Sequence, residues 1–205
     1  MKKSKAETAR TRQRIVQVAS EAIRSKGIDA TGVAEIMAAA GLTHGGFYRH
    51  FDSKEELVTE ALGVSRKDYL AGTVDAAKRG PDALLKHFQD YVTLSSRDDV
   101  GGGCPLAANG SEIVRSDDRT RHNATEVFRQ WFGNAERFMK SEKGEDKTDM
   151  AINLVTQMIG ALTMSRIVDD PALSEKILEA ARRRIANSFD LTASNPQDHL
   201  EAHTA

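Results

Sequence analysis

At 205 residues, with 40% apolar and 29% charged side chains, the chain has the composition of a folded protein with a sizeable core, which excludes disorder. A single cysteine excludes an internal disulfide and a thiolate zinc site and suits a reducing cytoplasm, and no apolar run approaches the ~20 residues of a membrane span. The net charge of -1 hides an asymmetry, since residues 1–50 hold nine Lys/Arg against four Asp/Glu, leaving 20 against 26 in the remainder. A basic head on an acidic body points to a polyanionic partner at one end, with a merely solvated basic tail as the competing reading. The start, MKKSKAETARTRQRI, is basic but lacks the apolar stretch of a secretory signal.

Nearly all periodicity along the chain is helical. Ile15, Val18, Ala19, Ala22 and Ile23 follow the i, i+3, i+4 spacing of an amphipathic helix that Gly27 ends. Short helices are predicted over 33–40 and 44–50, with Gly41 as the stop between them. Ser53 and Glu56 stand at capping-box spacing where a long helix, 54–79, begins. Helices over 82–97, 105–117, 119–141, 148–168 and 172–189 follow. Pro81, Pro105 and Pro171 sit at or just before three of these starts, where a missing N–H costs nothing. Residues 98–103 and 141–147 read as loops and the final stretch as a loose tail. No strand alternation or internal repeat occurs, so the chain is predicted to be all-α, with about nine helices.

A long helix and two short ones, with Gly41 in the last turn, make a helix-turn-helix arrangement whose final helix enters a DNA major groove. That arrangement supplies a reason for Gly45 and Gly46, each of which costs about 1 kcal/mol relative to alanine within a helix. Bare backbone at a helix start can approach phosphates or base edges closely. Thr43 is placed to cap this helix and to donate to a phosphate oxygen. Tyr48, Arg49 and His50 supply further donors, while Phe47 and Phe51 can anchor the helix on its neighbours. Lys54, unfavourable at the positive end of the next helix, becomes favourable once a phosphate docks there. The competing reading is an ordinary Gly-Gly loop beside core aromatics.

The stretch GIDATGVAEIMAAAGLTHGGFYRHFDSKEELVTEAL closely resembles the DNA-binding domain of TetR-family transcriptional regulators over about residues 12–62. Gly27, Ile36, Ala40, Gly41, Gly45, Tyr48, His50, Phe51 and Lys54 stand in register with that motif, while the usual Ser/Thr opening the second helix is Gly32 here. The resemblance implies base-edge or groove contacts from His44, Gly45, Gly46 and Arg49, and phosphate contacts from Thr43, Tyr48, His50 and Lys54. Arg10, Arg12 and Arg14, ahead of the first helix, are implied as weaker contacts to a neighbouring backbone or minor groove. The corresponding organisation is a three-helix DNA-binding domain over 1–62, a helical effector-binding and dimerisation domain over 63–192 and a flexible tail over 193–205.

MIGALTMSRIVDDPALSEKILEAARRRI resembles the last two helices of many members, which pair with their mates in a dimeric four-helix bundle. The residues agree with this, because apolar positions between Ala151 and Leu162 cover a wider arc than one core stripe needs, and Gly160 permits close approach. Val155, Met158, Ile159, Leu162, Ile177, Ala181 and Ile185 are therefore candidates for a homodimer interface, with burial inside one subunit as the competing reading. Phe88, Tyr91, Cys104, Phe128, Trp131 and Phe132 are candidates for lining a small-molecule effector pocket, although aromatics at helical spacing more often serve as core.

Cys104 precedes Pro105 and should cap a helix, where the positive helix end favours thiolate and a mobile Gly101–Gly103 loop would keep it accessible. It reads either as a redox or electrophile sensor or as a packing residue, with no second thiol to resolve an oxidised form. His87 and His122 lack a second ligand at i+3 or i+4, so neither a metal nor a cofactor is expected. A thiol enzyme would need one of them as a base beside Cys104, and neither carries a motif. The expectation is a cytoplasmic, ligand-responsive regulator rather than an enzyme, with repression implied by the resemblance. It would bind a palindromic double-stranded operator as a dimer, with half-sites about one helical turn apart, roughly 34–36 Å or a multiple. An effector would act through the helix that starts at Ser53. A helical scaffold without a DNA partner is the remaining class.

Overall fold

The computed structural model describes residues 4–140 and 146–189, and for 65–69 the backbone alone. In chain order the elements are α1 (Lys5–Lys26), α2 (Val33–Ala39), a 3-10 helix (His44–Arg49), α3 (Lys54–Lys78), α4 (Pro81–Tyr91), α5 (Leu94–Asp98), α6 (Pro105–Ile113), α7 (Asp118–Glu136), α8 (Lys147–Ile167) and α9 (Pro171–Ser188). The fold is all-α; extended pairing among the described residues amounts to an isolated bridge between Met139 and Phe189. None of the described helices is long and apolar enough to cross a membrane. The expected tail, 193–205, and most of the expected 141–147 loop lie outside the described residues. Contacts divide the chain into two compact units, one comprising residues up to 68 with 100–124, the other 69–99 with 125 onward.

In the first unit, α1 begins at Ser4, whose hydroxyl accepts from Glu7 N at 3.1 Å, so Arg10, Arg12 and Arg14 lie inside this helix rather than ahead of it. Its buried stripe is Ile15, Val16, Ala19, Ser20 and Ile23; Val18 is half-buried, and the polar Ser20 turns inward to donate to Ala61 O of α3 at 2.8 Å. Gly27 ends the helix at φ +94°, a conformation that only glycine adopts without strain. α2 closes with a paired C-terminal motif: Leu42 N donates to Met37 O (2.8 Å) and Gly41 N, at φ +69°, to Ala38 O (2.9 Å). α2 itself starts at Gly32, with no side-chain cap, while the buried Thr31 donates to Gly27 O at 2.6 Å. The capping box at α3 forms one residue wide: Ser53 Oγ accepts from Glu56 N (3.2 Å), and the Glu56 carboxylate accepts from Asp52 N (2.6 Å).

Three boundaries differ from the periodicity. The helix expected over 82–97 breaks at Val92 (φ -103°, ψ 63°), because Thr93 caps a new helix by accepting from Ser96 N at 3.1 Å. The one expected over 105–117 ends at Ile113 and departs from helical geometry at Asn109; Asp117 then caps α7 through Thr120 N at 2.8 Å. α7 stops at Glu136, short of 141, and Lys140 N donates to Ser188 O in the last turn of α9.

The second unit has an aromatic core. Phe88 meets Phe189 edge-on at 5.8 Å between ring centroids, Tyr91 meets Trp131 likewise at 5.8 Å, and Phe128 stacks on Phe132 at 5.8 Å. α8 and α9 pack on each other, and Ala151, Leu154, Val155, Met158 and Leu162 of α8 and Leu178, Ala181 and Ile185 of α9 are all buried. Five of the seven candidate interface residues, Val155, Met158, Leu162, Ala181 and Ile185, are thus covered within the chain itself, while Ile159 and Ile177 are half-buried. The wide apolar arc of α8 serves two faces, and the outward one carries Gly160, Met164 and Ile167 at i, i+4, i+7, with Met164 53% and Ile167 67% exposed.

Candidate nucleic-acid interface

The 3-10 helix His44–Arg49 is held from beneath by aromatic packing. Phe47 and Phe51 are buried with their rings stacked at 5.5 Å, and Tyr48 sets its ring edge-on to Phe47 at 5.2 Å. Tyr48 remains 72% exposed, a donor presented to solvent. Thr43, His44, Gly45 and Arg49 are exposed, and Gly46, His50 and Lys54 are half-buried at the rim. The structure therefore brings all eight expected DNA contacts onto the 3-10 helix and its flanks. Two details differ from expectation. The helix has 3-10 rather than α geometry, so its i and i+3 side chains eclipse, and Thr43 caps it through the backbone, with no side-chain cap bond. Lys54 Nζ lies 3.5 Å from Asp29 O, which keeps the ammonium beside the N-terminus of α3.

Gly45 and Gly46 carry negative φ, so backbone conformation does not demand glycine. Neither does internal space: a Cβ on Gly45 would meet nothing within 4 Å, and one on Gly46 only Met37 Cε at 3.6 Å and Thr43 Oγ1 at 3.9 Å. The fold would accept alanine at both positions, and with it better helix propensity.

The charges behind this surface are committed inward. Arg12 pairs with Glu56 and Glu60, each at 2.7 Å, and its guanidinium lies over the Phe51 ring at 4.1 Å. It ties α1 to α3 under the 3-10 helix instead of reaching outward, a role that i, i+4 patterning cannot reveal because its partners lie 44 and 48 residues away. The Glu56 carboxyl is held below its ordinary value first by the Asp52 backbone N–H and then by Arg12, with burial opposing. Glu55 is lowered too, first by its own backbone N–H and then by the Ser53 hydroxyl.

The other singled-out residues are divided between the units. Phe88, Tyr91 and Trp131 are buried and Phe128 and Phe132 half-buried in the second unit, whereas Cys104 belongs to the first. Cys104 is the N-cap of α6, as expected, yet only 2% exposed. The glycine loop before it is pinned, not mobile: Gly101 O accepts from Arg24 Nε, and a Cβ on Gly101 would stand 2.5 Å from Ser25 Oγ. His87, 3.0 Å from Thr73 Oγ1, has its pKa lowered mainly by burial. A crevice of about 610 Å³ lies in the first unit beside Arg12, Gln13, Gln17, Glu60, Arg119 and Asn123.

Two supporting helices, a left-handed glycine turn and a short exposed helix rich in donors define a helix-turn-helix DNA-binding protein. Comparison with known proteins agrees at both ends of the chain. Residues 15–61 match the model for bacterial regulatory proteins of the tetR family, and residues 80–181 match the tetracyclin repressor-like C-terminal domain. The chain belongs to the TetR family and is a DNA-binding transcriptional regulator. An HTH-type transcriptional regulator of Mycobacterium tuberculosis (strain H37Rv) is 26% identical over 167 residues, covering 78% of this chain and 86% of the relative. The HTH-type transcriptional repressor DhaR of Mycobacterium sp. (strain GP1) is 26% identical over 156 residues, covering 72% and 76%. Among solved structures, the reduced form of E. coli NemR superposes with TM-score 0.76 at 18% identity, over 90% of this chain and all of that one. AibR, solved with isovaleryl coenzyme A and operator DNA, gives TM-score 0.63 at 16% identity over 87% and 100%.

Proposed function

We propose that this regulator is a repressor that binds a palindromic operator as a homodimer, residues 1–62 reading the DNA and 63–192 carrying dimerisation and effector binding. The observation that carries the DNA contact is the pair Gly45 and Gly46, exposed or half-exposed, at negative φ and with room for a Cβ, so that only an external surface explains them. His44, Gly45, Gly46 and Arg49 face base edges in this reading, and Thr43, Tyr48, His50 and Lys54 hold phosphates. Arg12 is not among the contacts, being engaged by Glu56 and Glu60.

The outward stripe Gly160, Met164 and Ile167, with Leu173 (45% exposed) at the start of α9, supports dimerisation through α8 and α9. A Cβ on Gly160 would meet nothing within 4 Å, so this glycine too is unexplained by the chain's own packing. The interface therefore uses Ile159 and Ile177 from the expected set together with Met164, Ile167 and Leu173, while the other five residues form the floor beneath it. Release by a small molecule rests on the family and on AibR being solved with both an acyl-coenzyme A and operator DNA. Phe88, Tyr91, Phe128, Trp131 and Phe132 are the residues of the second unit around which such a pocket would open. Effector and operator then weaken each other's binding by the same factor. A reading based on Cys104 as a sensor is weakened by its burial. The regulator acts in the cytoplasm, where its DNA is. Selection of fragments from the source genome by the purified protein tests the proposal: enrichment of a two-fold symmetric sequence is expected, and recovery without sequence preference refutes it.

A further inference from the structure

We propose that Glu112, working with Asn109, is a positioning residue for DNA recognition, which locks α6 to the junction between α1 and α2 and so fixes the pose of the reading helix. The inference rests on the reading of His44–Arg49 as that helix. Glu112 Oε1 accepts from Ile28 N at 2.8 Å and Asp29 N at 3.3 Å, 84 and 83 residues away in sequence. Its other oxygen, Oε2, accepts from Asn109 Nδ2 at 2.9 Å, and the same amide donates to Ile23 O at 3.0 Å in the last turn of α1. One carboxylate and one amide thus hold the end of α1 and the first residues leading into α2.

Gly27 makes room for this lock. A Cβ there would stand 2.9 Å from Oε1 and 3.2 Å from Oε2 and would push the carboxylate aside, while the φ of +94° itself favours glycine. The Asn109 backbone departs from helical geometry (φ -121°, ψ 15°), so the residue that kinks α6 is also the one that grips α1. Straightening α6 would withdraw that amide and free the junction. From the junction the pose passes directly to the reading helix: α2 ends in the hydrogen bond Leu42 N to Met37 O, and Met37 Cε lies beneath Gly46. A carboxylate suits the position because it accepts on both oxygens and every group facing it here is an N–H. Glutamine at 112 would turn one NH2 toward either the Ile28 and Asp29 amides or Asn109 Nδ2, donor against donor.

Glu112→Gln and Glu112→Ala, confirmed as folded dimers by circular dichroism and light scattering, should bind the selected operator about tenfold more weakly, within the usual range of coupling between separated sites. Binding to non-specific DNA and the salt slope should be unchanged, because no cation is lost. A merely structural role would lower the melting temperature and leave the operator affinity of the folded protein intact; that result, or an equal loss on specific and non-specific DNA, overturns the proposal. If neither variant folds, amide exchange in the wild-type protein decides: Ile28 and Asp29 should exchange more slowly with operator bound, and unchanged or faster exchange refutes the lock. Failure of the wild-type protein to prefer any operator would instead remove the reading on which the inference stands.

Discussion

Alanine at position 45 separates what the fold needs from what DNA needs. The Cβ of a Gly45→Ala variant enters open space, with nothing within 4 Å, and the backbone already has negative φ, so the folded state incurs no strain. The unfolded chain loses conformational freedom, which stabilises the native protein by about 0.4–1 kcal/mol. For a chain of this size, that raises the melting temperature by about 1–4 °C. On DNA the same methyl group stands between backbone and base edge or phosphate. Losing a close contact of that kind costs about 1–3 kcal/mol, and at 1.4 kcal/mol per decade this weakens operator binding by roughly 5- to 150-fold. Differential scanning calorimetry and fluorescence anisotropy on one protein preparation, at one salt concentration, measure the two effects side by side. The expected result is opposite signs: more stable, less able to bind. A variant that binds the operator as tightly as the parent protein would show that Gly45 is not a point of approach, and the argument from its empty surroundings would fail with it.

The phosphate contacts differ in kind. Lys54→Ala should weaken binding and flatten the dependence of log affinity on log salt by about 0.9, since one cation is lost, whereas Tyr48→Phe should weaken binding and leave the slope unchanged; equal slopes for the two variants would contradict the assignment of Lys54. Because the native pKa of Glu56 lies below its ordinary value of 4.5, its stabilising contribution is complete above that value and disappears as pH falls through the lower native one. Glu56→Gln should therefore melt lower than the wild type at neutral pH and converge with it as the pH falls below the ordinary carboxylate value, and a difference in melting temperature that stays constant down into acid would refute the linkage. Ile167→Glu places a charge on the outward stripe of α8 and should halve the mass measured by light scattering without lowering helix content; an intact dimer would move the interface elsewhere.

Much of this protein was legible from residue order alone. Helical periodicity, proline at helix starts and glycine at helix ends are local physics, and they placed α2, α3, α8 and α9 and the end of α1 to within a few residues, whereas α1 begins well before the apolar stripe that marked it. The proposed reading surface could be named from sequence too, because Thr43 to Lys54 is one short segment whose chemistry is contiguous in sequence. The helix expected over 82–97 was misjudged for a local reason: the hydroxyl of Thr93 competes for backbone N–H groups that an unbroken helix would have used.

What only the tertiary structure decided involves partners far apart in the chain. Arg12 looked like a free cation near DNA until Glu56 and Glu60 met it, and Glu112 showed no motif because the amides it binds lie more than 80 residues away. Cys104 looked accessible in a glycine loop, yet it is buried, and Gly101 in that loop lies close against α1. The apolar arc of α8 was evident, but which half faces α9 and which faces outward is a matter of packing, and packing chose Val155, Met158 and Leu162 for the inside. Sequence records the period of a helix; it does not record the direction from which the rest of the chain arrives. Gly45 and Gly46 needed both, since composition marked them as costly and only coordinates showed that the fold itself had no use for them.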